Sequence, residues 1–238
     1  MSKKKWSDGV SIITCTKRPQ CVHNLFNNYK RQIAIDKELI IILNHDGMDI
    51  NQYINLAKCY RNVRVYQLPG TTSLGRCLNF GVTKARFKYV AKFDDDDYYS
   101  PYYLREGLRA FRSTNADIVG KRTMFMYLKE KKLLLIRRPG NENKYSNRVV
   151  SATILAKKDI FKTVKFPDRS IGEGPEFLND CSEKGFKIYS TSRYNFVANR
   201  RKDHKSHTWQ ITYDVLLKQH CKIVSHTNQY QVLARMPF

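Results

Sequence analysis

The first half of the chain alternates between short apolar segments and longer segments with apolar residues at helical spacing. Apolar runs rich in β-branched residues predict four β-strands, at residues 10–16, 38–43, 63–67 and 87–93. Apolar residues that recur every three or four positions predict four helices, at residues 20–32, 50–59, 74–85 and 101–111. This alternation indicates an α/β domain with a mostly parallel, Rossmann-type sheet flanked by helices.

The second half predicts shorter strands and fewer helices. Strands are expected at residues 118–119, 122–128, 132–137, 151–156 and 187–190. A short helix is expected between residues 172 and 185, and a last long helix over residues 208–221. We therefore expect a smaller antiparallel part within a domain at residues 8–210, followed by a C-terminal helical extension at residues 211–238.

Composition adds a strong positive charge to this picture. The 238 residues include 43 Lys and Arg but 21 Asp and Glu, which gives a formal net charge of +22. Such a surface attracts polyanions, including nucleoside diphosphates, nucleic acid, anionic lipid and phosphate-rich glycans. Charge alone does not choose among them, and a generally basic, soluble surface explains it equally well. Hydrophobic residues make up 42% of the chain, enough for a packed core, which excludes wholesale disorder.

Three sequence features bear on location. No apolar run approaches the roughly 20 residues that cross a bilayer, so contact with a membrane would be peripheral. Residues 1–6 carry basic side chains with no apolar stretch after them, so no signal peptide is expected. No two of the six cysteines have the spacing of a zinc site, which favours reduced thiols. We therefore expect a cytoplasmic protein.

Four consecutive aspartates, Asp94 to Asp97, directly follow the fourth predicted strand. Ligands of parallel α/β sheets bind at the carboxyl ends of the strands, so these side chains are expected in a crevice with the polar residues that follow the first two strands. Packed carboxylates repel one another unless a cation neutralises them. Mn²⁺ or Mg²⁺ is held by one or two carboxylates together with phosphate oxygens. A solvated acidic turn is the alternative interpretation.

The segment at residues 93–101 resembles the Asp-x-Asp motif of glycosyltransferase family 2, the nucleotide-sugar transferases of GT-A fold. The resemblance covers about residues 8–210 and implies a GT-A-like fold. It implies that Asp94 contacts the ribose or sugar and that Asp95 belongs to the same nucleotide-binding segment. It further implies that Asp96 holds Mn²⁺ or Mg²⁺ against the diphosphate, with Asp97 in support.

The same resemblance assigns nucleotide contacts elsewhere in the first half. In the first strand and the turn after it, it places Thr14, Thr16 and Arg18 beside the base and ribose. At the end of the second strand the base contact stays open between Asn44 and Asp46. In the helix that precedes the Asp-x-Asp strand, Arg76 would point toward the nucleotide and Asn79 would brace the loop.

The base that deprotonates the acceptor is less clear from the resemblance. Family members carry Glu-Asp before a helix, and the Asp is the usual base. Here Glu173 matches the Glu, but Gly174 replaces the Asp, so either Glu173 or Glu176 would reach the acceptor. Late in the chain, the resemblance suggests His207 as a further metal ligand and Trp209 as a wall of the sugar pocket.

These features together lead us to expect a metal-dependent, inverting glycosyltransferase. It would move a sugar from a nucleoside diphosphate, most readily UDP, to an acceptor hydroxyl on a cell-envelope, spore-surface or other glycan. Gly174 leaves open a catalytically impaired protein that binds nucleotide sugars. A nucleic-acid-binding protein is the less favoured alternative, because zinc-finger spacings and aromatic RNA-binding strands are absent from the sequence.

Overall fold

Two β-sheets with helices on their faces make up the computed structural model, which describes residues 7–33, 36–200, 215 and 220–236. The strands are β1 (Ser7–Thr16), β2 (Lys37–Asn44), β3 (Val63–Leu68), β4 (Phe87–Lys92), β5 (Tyr98–Tyr99), β6 (Ile118–Gly120), β7 (Met124–Leu128), β8 (Leu133–Arg137), β9 (Lys144–Tyr145), β10 (Leu155–Lys157), β11 (Ile188–Ser190), β12 (Phe196–Arg200) and β13 (Cys221–His226). The helices are α1 (Val22–Arg31), α2 (Ile50–Ala57), α3 (Leu74–Lys84), α4 (Tyr103–Ser113), α5 (Glu173–Glu183) and a last short helix, Tyr230–Leu233. Three 3₁₀ turns lie at Pro19–Cys21, Ser151–Thr153 and Lys158–Lys162.

The larger sheet has the strand order β3-β2-β1-β4-β10-β6-β11-β9 among the described residues. Strands β3, β2, β1 and β4 run parallel to one another, as the alternation of strands and helices predicts. Strand β10 is antiparallel to both β4 and β6, so β4 and β6 point the same way. The carboxyl ends of β1, β2, β4 and β6 therefore lie along one edge, which is where such sheets bind ligands.

The smaller sheet has the order β13-β8-β7-β12-β5 in the described part of the chain. Its pairings are antiparallel except for that of β7 with β12. Strand β5 directly follows the four aspartates, and its pairing with β12 joins the end of β4 to the smaller sheet. The aspartate segment is therefore fixed where the two sheets meet.

Helix packing on the parallel strands follows from the sequence of α3. The Ser73 hydroxyl caps the helix by accepting a hydrogen bond from the Arg76 backbone N–H at 3.2 Å. A Cβ at Gly81 would lie 2.6 Å from Cγ2 of Ile13, so glycine lets the helix approach β1 closely. Apolar side chains on both faces of the larger sheet are buried, which accounts for the continuous apolar pattern of β2.

The predicted α/β class, with a mostly parallel sheet flanked by helices and a smaller antiparallel part, is confirmed. Two local predictions are wrong, and strands β5, β9 and β12 were not predicted. Residues 151–153 form a 3₁₀ turn before β10 rather than a strand. Residues 221–226, placed in a helical extension, form β13, because their β-branched residues complete the edge of the smaller sheet beside β8. The long helix predicted over residues 208–221 lies mostly outside the described residues.

None of the helices in the described part of the chain is both long and apolar enough to pass through a bilayer.

Candidate active site

A cavity of about 540 Å³ opens where the carboxyl ends of β1 and β4 meet the smaller sheet. One part of its wall is acidic and holds Asp94, Asp96, Asp97 and Glu173. The cationic side chains in its wall are Arg18, Lys92, Arg122, Arg137, Arg138, Arg148 and Arg200. Most of these groups come from distant parts of the chain, so the fold, rather than sequence proximity, assembles the site.

The four aspartates have different surroundings. Asp95 is 2% exposed, accepts hydrogen bonds from the Thr16 hydroxyl at 2.5 Å and from Nε of Arg18 at 3.1 Å, and does not line the cavity. Asp97 is buried but reaches the cavity wall, and its carboxylate accepts from the backbone N–H of Asn199 at 2.9 Å. The Asp94 and Asp96 side chains are 37% and 14% exposed. The segment thus turns two carboxylates toward the cavity opening and anchors the other two.

Two asparagines of α1 hold the backbone of this segment. The side-chain amide of Asn24 donates to the carbonyls of Asp95 and Asp97 at 2.8 and 2.9 Å. That of Asn28 also donates to the Asp97 carbonyl at 2.9 Å, and its oxygen accepts from the Tyr99 N–H at 3.2 Å. These bonds fix the loop, so its carboxylates are held in place before any ligand arrives.

Burial and like charge act together on Asp97. Burial raises the pKa of its carboxyl well above the ordinary value, and the nearby charges of Asp96 and Asp94 raise it further. The Asn199 hydrogen bond and Lys92 act in the opposite direction but do not outweigh them. Negative charge on Asp97 is therefore disfavoured, and a cation beside the cluster would offset that cost.

Lys92 links the aspartate segment to α5. Its side chain is 5% exposed, and Nζ lies 2.5 Å from Oδ1 of Asp94 and 3.9 Å from Oε1 of Glu173. Burial alone lowers the pKa of this ammonium, but the two carboxylates outweigh burial and raise it above the ordinary value. Lys92 is therefore a fixed positive charge within the acidic part of the cavity wall.

Arg18 forms a second link, between the end of β1 and the aspartates. It makes ion pairs with Asp95 and with Oδ2 of Asp96, the latter at 3.0 Å. Burial lowers the pKa of the guanidinium, but the Asp95 hydrogen bond and the charges of Asp95 and Asp96 raise it overall. The turn after β1 is thereby locked against the aspartate segment.

Glu173 is the buried carboxylate at the start of α5. It is 5% exposed, lines the cavity, and accepts a hydrogen bond from the Ser151 hydroxyl at 3.2 Å. Gly174 packs against the same serine, because a Cβ at residue 174 would lie 2.0 Å from Oγ and 2.4 Å from Cβ of Ser151. Glu176 instead forms an ion pair with Arg169 at 2.7 Å and does not line the cavity. The structure thus brings Glu173, and not Glu176, to the cavity.

Comparison with known proteins settles the family. The family model described as "Glycosyl transferase family 2" matches residues 11–150, more than half of the chain. The chain belongs to glycosyl transferase family 2. The resemblance noted in the sequence is therefore confirmed, and the chain is a glycosyltransferase by family. No curated protein sequence matches it.

Solved structures similar to this family 2 chain include S. aureus TarS 1-349, at TM-score 0.61 and 16% identity over 80% of this chain and 60% of that chain. TarS 1-349 in complex with UDP-GlcNAc gives TM-score 0.61 and 16% identity over 82% and 59% of the two chains. The complex with UDP gives 0.59 and 15% over 81% and 60%. This chain therefore spans about three fifths of that fragment, and the likeness confirms the GT-A-like fold.

The remaining residues that the family resemblance assigns to the nucleotide lie mostly around the ends of β2 and β3. The Asn44 amide donates to the carbonyls of Pro69 and Thr72, both at 3.0 Å. The exposed Asp46 carboxylate accepts from the Gly70 N–H at 3.0 Å. Both side chains therefore shape the loop after β3 and lie outside the cavity wall.

The other residues that the family resemblance assigned to the nucleotide site also lie outside the cavity wall. Thr14 is buried within β1, outside the cavity wall. Arg76 is 67% exposed, with Nη1 3.8 Å from Oδ2 of Asp168. Asn79 exchanges two hydrogen bonds with the Phe166 backbone, at 2.8 and 3.0 Å, and so braces the segment that leads to α5. His207 and Trp209 lie outside the described residues.

The metal assignment can be tested on the donor set. Among residues 7–33, 36–200, 215 and 220–236, no group of three or more His, Cys, Asp or Glu is arranged to hold a metal ion. Asp94 and Asp96 nevertheless present carboxylate oxygens to the cavity. One or two carboxylates suit a hard cation that takes its other ligands from a diphosphate. The residues therefore fit Mn²⁺ or Mg²⁺ shared with the substrate, and do not form a complete protein cage.

Two groups of cavity-lining residues were missed from the sequence. Lys92 was recognised as a strand residue but not as part of the site. The cavity-lining arginines Arg122, Arg137, Arg138 and Arg148 were not assigned either, because they are dispersed between residues 122 and 148. The available signal was the net charge of +22, which predicts an anionic partner without locating its binding site.

Proposed function

We propose that this chain transfers a sugar from a nucleoside diphosphate, preferentially UDP, to an acceptor hydroxyl, with inversion at the anomeric carbon. The observation that carries this proposal is one cavity whose wall holds Asp94, Asp96 and the buried Glu173, with the Lys92 ammonium next to the carboxylates of Asp94 and Glu173. That UDP and UDP-GlcNAc bind TarS 1-349, a protein of similar fold, supports a UDP-sugar as donor.

The nucleotide would lie along the edge formed by β1, β2 and β4. In this arrangement Arg18 and Asp94 border the ribose, and the base lies toward Asn44 or Asp46. Asp96 would hold Mn²⁺ or Mg²⁺ with support from Asp97, and when bound the ion would supply positive charge to the leaving diphosphate. Asp95 acts through Thr16 and Arg18, which it holds in position.

Glu173 is the base in this proposal. The acceptor oxygen attacks the anomeric carbon, the bond from that carbon to the diphosphate oxygen breaks, and the hydroxyl proton passes to the Glu173 carboxylate. The Ser151 hydroxyl orients the carboxylate at 3.2 Å, and the Lys92 ammonium at 3.9 Å offsets its charge. Burial of Glu173 limits the access of water to its carboxylate, which would disfavour hydrolysis of the donor.

A second candidate function is binding of a nucleotide sugar without transfer. It is favoured by Gly174, where the family resemblance expects the base, and by the tight packing that excludes a side chain there. The two candidates share the donor site and differ in turnover. Release of UDP from the UDP-sugar over hours with Glu173 intact, and no release in Glu173→Gln, would decide for a catalytically active protein over a binding protein.

Ligand-dependent melting tests the shared donor site. A ligand at 100 times its Kd stabilises the folded state by about 2.7 kcal/mol, which corresponds to a rise of several degrees in Tm for a chain of this size. We expect UDP to produce such a shift with Mn²⁺ and a smaller one in EDTA. If no nucleoside diphosphate shifts Tm with any divalent ion, both candidate functions are wrong.

A further inference from the structure

A cluster of three arginines lines the side of the cavity away from the proposed nucleotide site. Arg122 follows β6, Arg138 follows β8, and Arg148 precedes the turn that carries Ser151. In the larger sheet β10 and β6 lie on one side of β4, and β1 and β2 lie on the other. The cluster is therefore separated from the nucleotide edge by the aspartates, and it adjoins the segment that holds Glu173.

The arginines of the fold divide into those with a carboxylate partner and those without one. Six of them, namely Arg18, Arg64, Arg76, Arg86, Arg169 and Arg193, form ion pairs with carboxylates. No ion pair joins Arg122, Arg138 or Arg148 to a carboxylate in the described part of the chain. Like charges without counter-charges repel one another, so their assembly at a cavity indicates an anionic ligand.

Electrostatics within the cluster agree with this reading. Burial lowers the pKa of the partly buried Arg122, and the charges of Arg138 and Arg148 lower it further. The guanidinium groups of Arg138 and Arg148 are therefore close enough to Arg122 to act on it. An anion among them would remove that repulsion.

The backbone holds Arg138 in an uncommon conformation. Its φ is +50°, in the left-handed region that non-glycine residues rarely adopt. The Thr123 hydroxyl and the Asn141 amide donate to its carbonyl at 2.6 and 3.2 Å, which fixes the turn after β8. Strained backbone of this kind persists where surrounding contacts enforce it and is concentrated at ligand sites.

We propose that Arg122, Arg138 and Arg148 bind a phosphate group of the acceptor and so bring a neighbouring hydroxyl to Glu173. The identification of the ligand as the acceptor rests on the proposed function, whereas the existence of a phosphate site does not. Guanidinium groups match phosphate oxygens with paired, charge-assisted hydrogen bonds. Arg138 and Arg148 are exposed and Arg122 is partly buried, so the phosphate binds at the cavity mouth while the hydroxyl extends inward.

Glycerol 3-phosphate, with glycerol as the uncharged control, tests this site without a known acceptor. Binding to the full chain is measured by calorimetry, with and without saturating UDP and Mn²⁺. We expect glycerol 3-phosphate to bind at least 10-fold more tightly than glycerol, and the triple variant R122Q/R138Q/R148Q to lose that difference. The matched control R61Q/R105Q/R112Q removes the same charge from exposed positions outside the cavity wall and should leave binding unchanged.

The outcomes separate this proposal from the proposed function. If the chain does not bind UDP but the triple variant loses affinity for glycerol 3-phosphate, the phosphate site is supported and the donor proposal is wrong. If UDP binds and the triple variant keeps its affinity for glycerol 3-phosphate, the phosphate site is wrong. If UDP displaces glycerol 3-phosphate and the triple variant loses both, the arginines bind the donor diphosphate and the acceptor assignment is overturned.

Vesicles identify the source of the phosphate. Phosphatidylcholine vesicles with and without phosphatidic acid are sedimented with the wild type, the triple variant and the control variant. Binding that needs phosphatidic acid and the three arginines supports a phosphorylated lipid as acceptor. Binding of glycerol 3-phosphate without vesicle binding supports a soluble or glycan-borne phosphate. If the triple and the control variants lose vesicle binding equally, general charge is responsible and the site is not built for phosphate.

Discussion

Gly174 lies directly against Ser151, with space for no further atom between them. A Cβ at residue 174 would lie 2.0 Å from the serine Oγ, closer than real contacts allow. The hydroxyl that occupies this space orients Glu173. The missing Asp of the family pattern and the hydrogen-bonded glutamate are therefore two consequences of one packing arrangement.

This arrangement predicts coupling between residues 174 and 151. Gly174→Ala should lower the free energy of unfolding by about 1–3 kcal/mol, the usual range for overpacking. Removing the serine side chain in the double variant Gly174→Ala/Ser151→Gly should recover much of that loss relative to Ser151→Gly alone. Urea unfolding of the four proteins measures the coupling, and strictly additive effects would show that the two residues do not compete for space.

Glu173→Gln should leave donor binding intact and remove transfer. Loss of a general base commonly lowers the rate by about 10²–10⁴-fold. Glu176→Gln is the matched control, since its carboxylate pairs with Arg169 outside the cavity and its loss should leave the rate near wild type. Release of UDP from a UDP-sugar measures turnover. A normal rate in Glu173→Gln would exclude it as the base.

Lys92→Met should destabilise the site and weaken donor binding together. It leaves Asp94 and the buried Glu173 without their shared cation, and removing one partner of a buried pair commonly costs about 3 kcal/mol or more. Lys88→Met, an exposed lysine on the same strand, controls for the substitution itself. Thermal melting and UDP titration of both variants provide the measurement, and equal behaviour of the two would contradict a structural role for Lys92.

Glu38 predicts a pH dependence of stability that is separate from the site. It is fully buried and accepts hydrogen bonds from Ser11, Arg64 and Arg86 at 2.6 Å each. Burial raises the pKa of this carboxyl, but these bonds and charges outweigh burial and lower it below 4.5 overall. The contribution of Glu38 to stability is therefore present above about pH 4.5, its pKa in the unfolded chain. It is lost as the pH falls through the lower pKa of the folded state.

Urea unfolding between pH 3 and pH 7 checks whether the stabilisation by Glu38 is lost at low pH. Wild type should exceed Glu38→Gln in unfolding free energy at pH 7, by about 2–4 kcal/mol for a buried, hydrogen-bonded charge. The difference in unfolding free energy between wild type and Glu38→Gln should decrease as the pH is lowered. A difference that stays constant or grows as the pH falls would contradict the direction of the pKa shift.

Much of the fold was predictable because the relevant signals are local. The continuous apolar run of β2 and the period-two pattern of β3 were correctly identified as strands, and the spacing in α3 as a helix. Strand β12 was missed because its pairing with β5 and β7 is made by residues distant in sequence. Residues 221–226 were misassigned because their strand depends on an open edge beside β8.

In the candidate site, too, local sequence features were predictable and features that depend on the fold were not. The four aspartates were noticed because they are adjacent in sequence, although their division into anchored and cavity-facing carboxylates depends on Asn24, Asn28 and Arg18 in three dimensions. The three arginines of the proposed phosphate site come from separate loops, so no sequence spacing connects them. Only folding shows that part of the net positive charge is gathered at one cavity.

Calorimetric titration of UDP tests the account most directly, with Mn²⁺ and in EDTA, on the wild type and Asp96→Asn. The matched control is Asp159→Asn, an exposed aspartate paired with Lys162 outside the cavity wall. The account predicts that Mn²⁺ tightens UDP binding at least 10-fold in the wild type and in the control, and that Asp96→Asn abolishes this difference. Equal Mn²⁺ dependence in Asp96→Asn, or no UDP binding by the wild type, would contradict it.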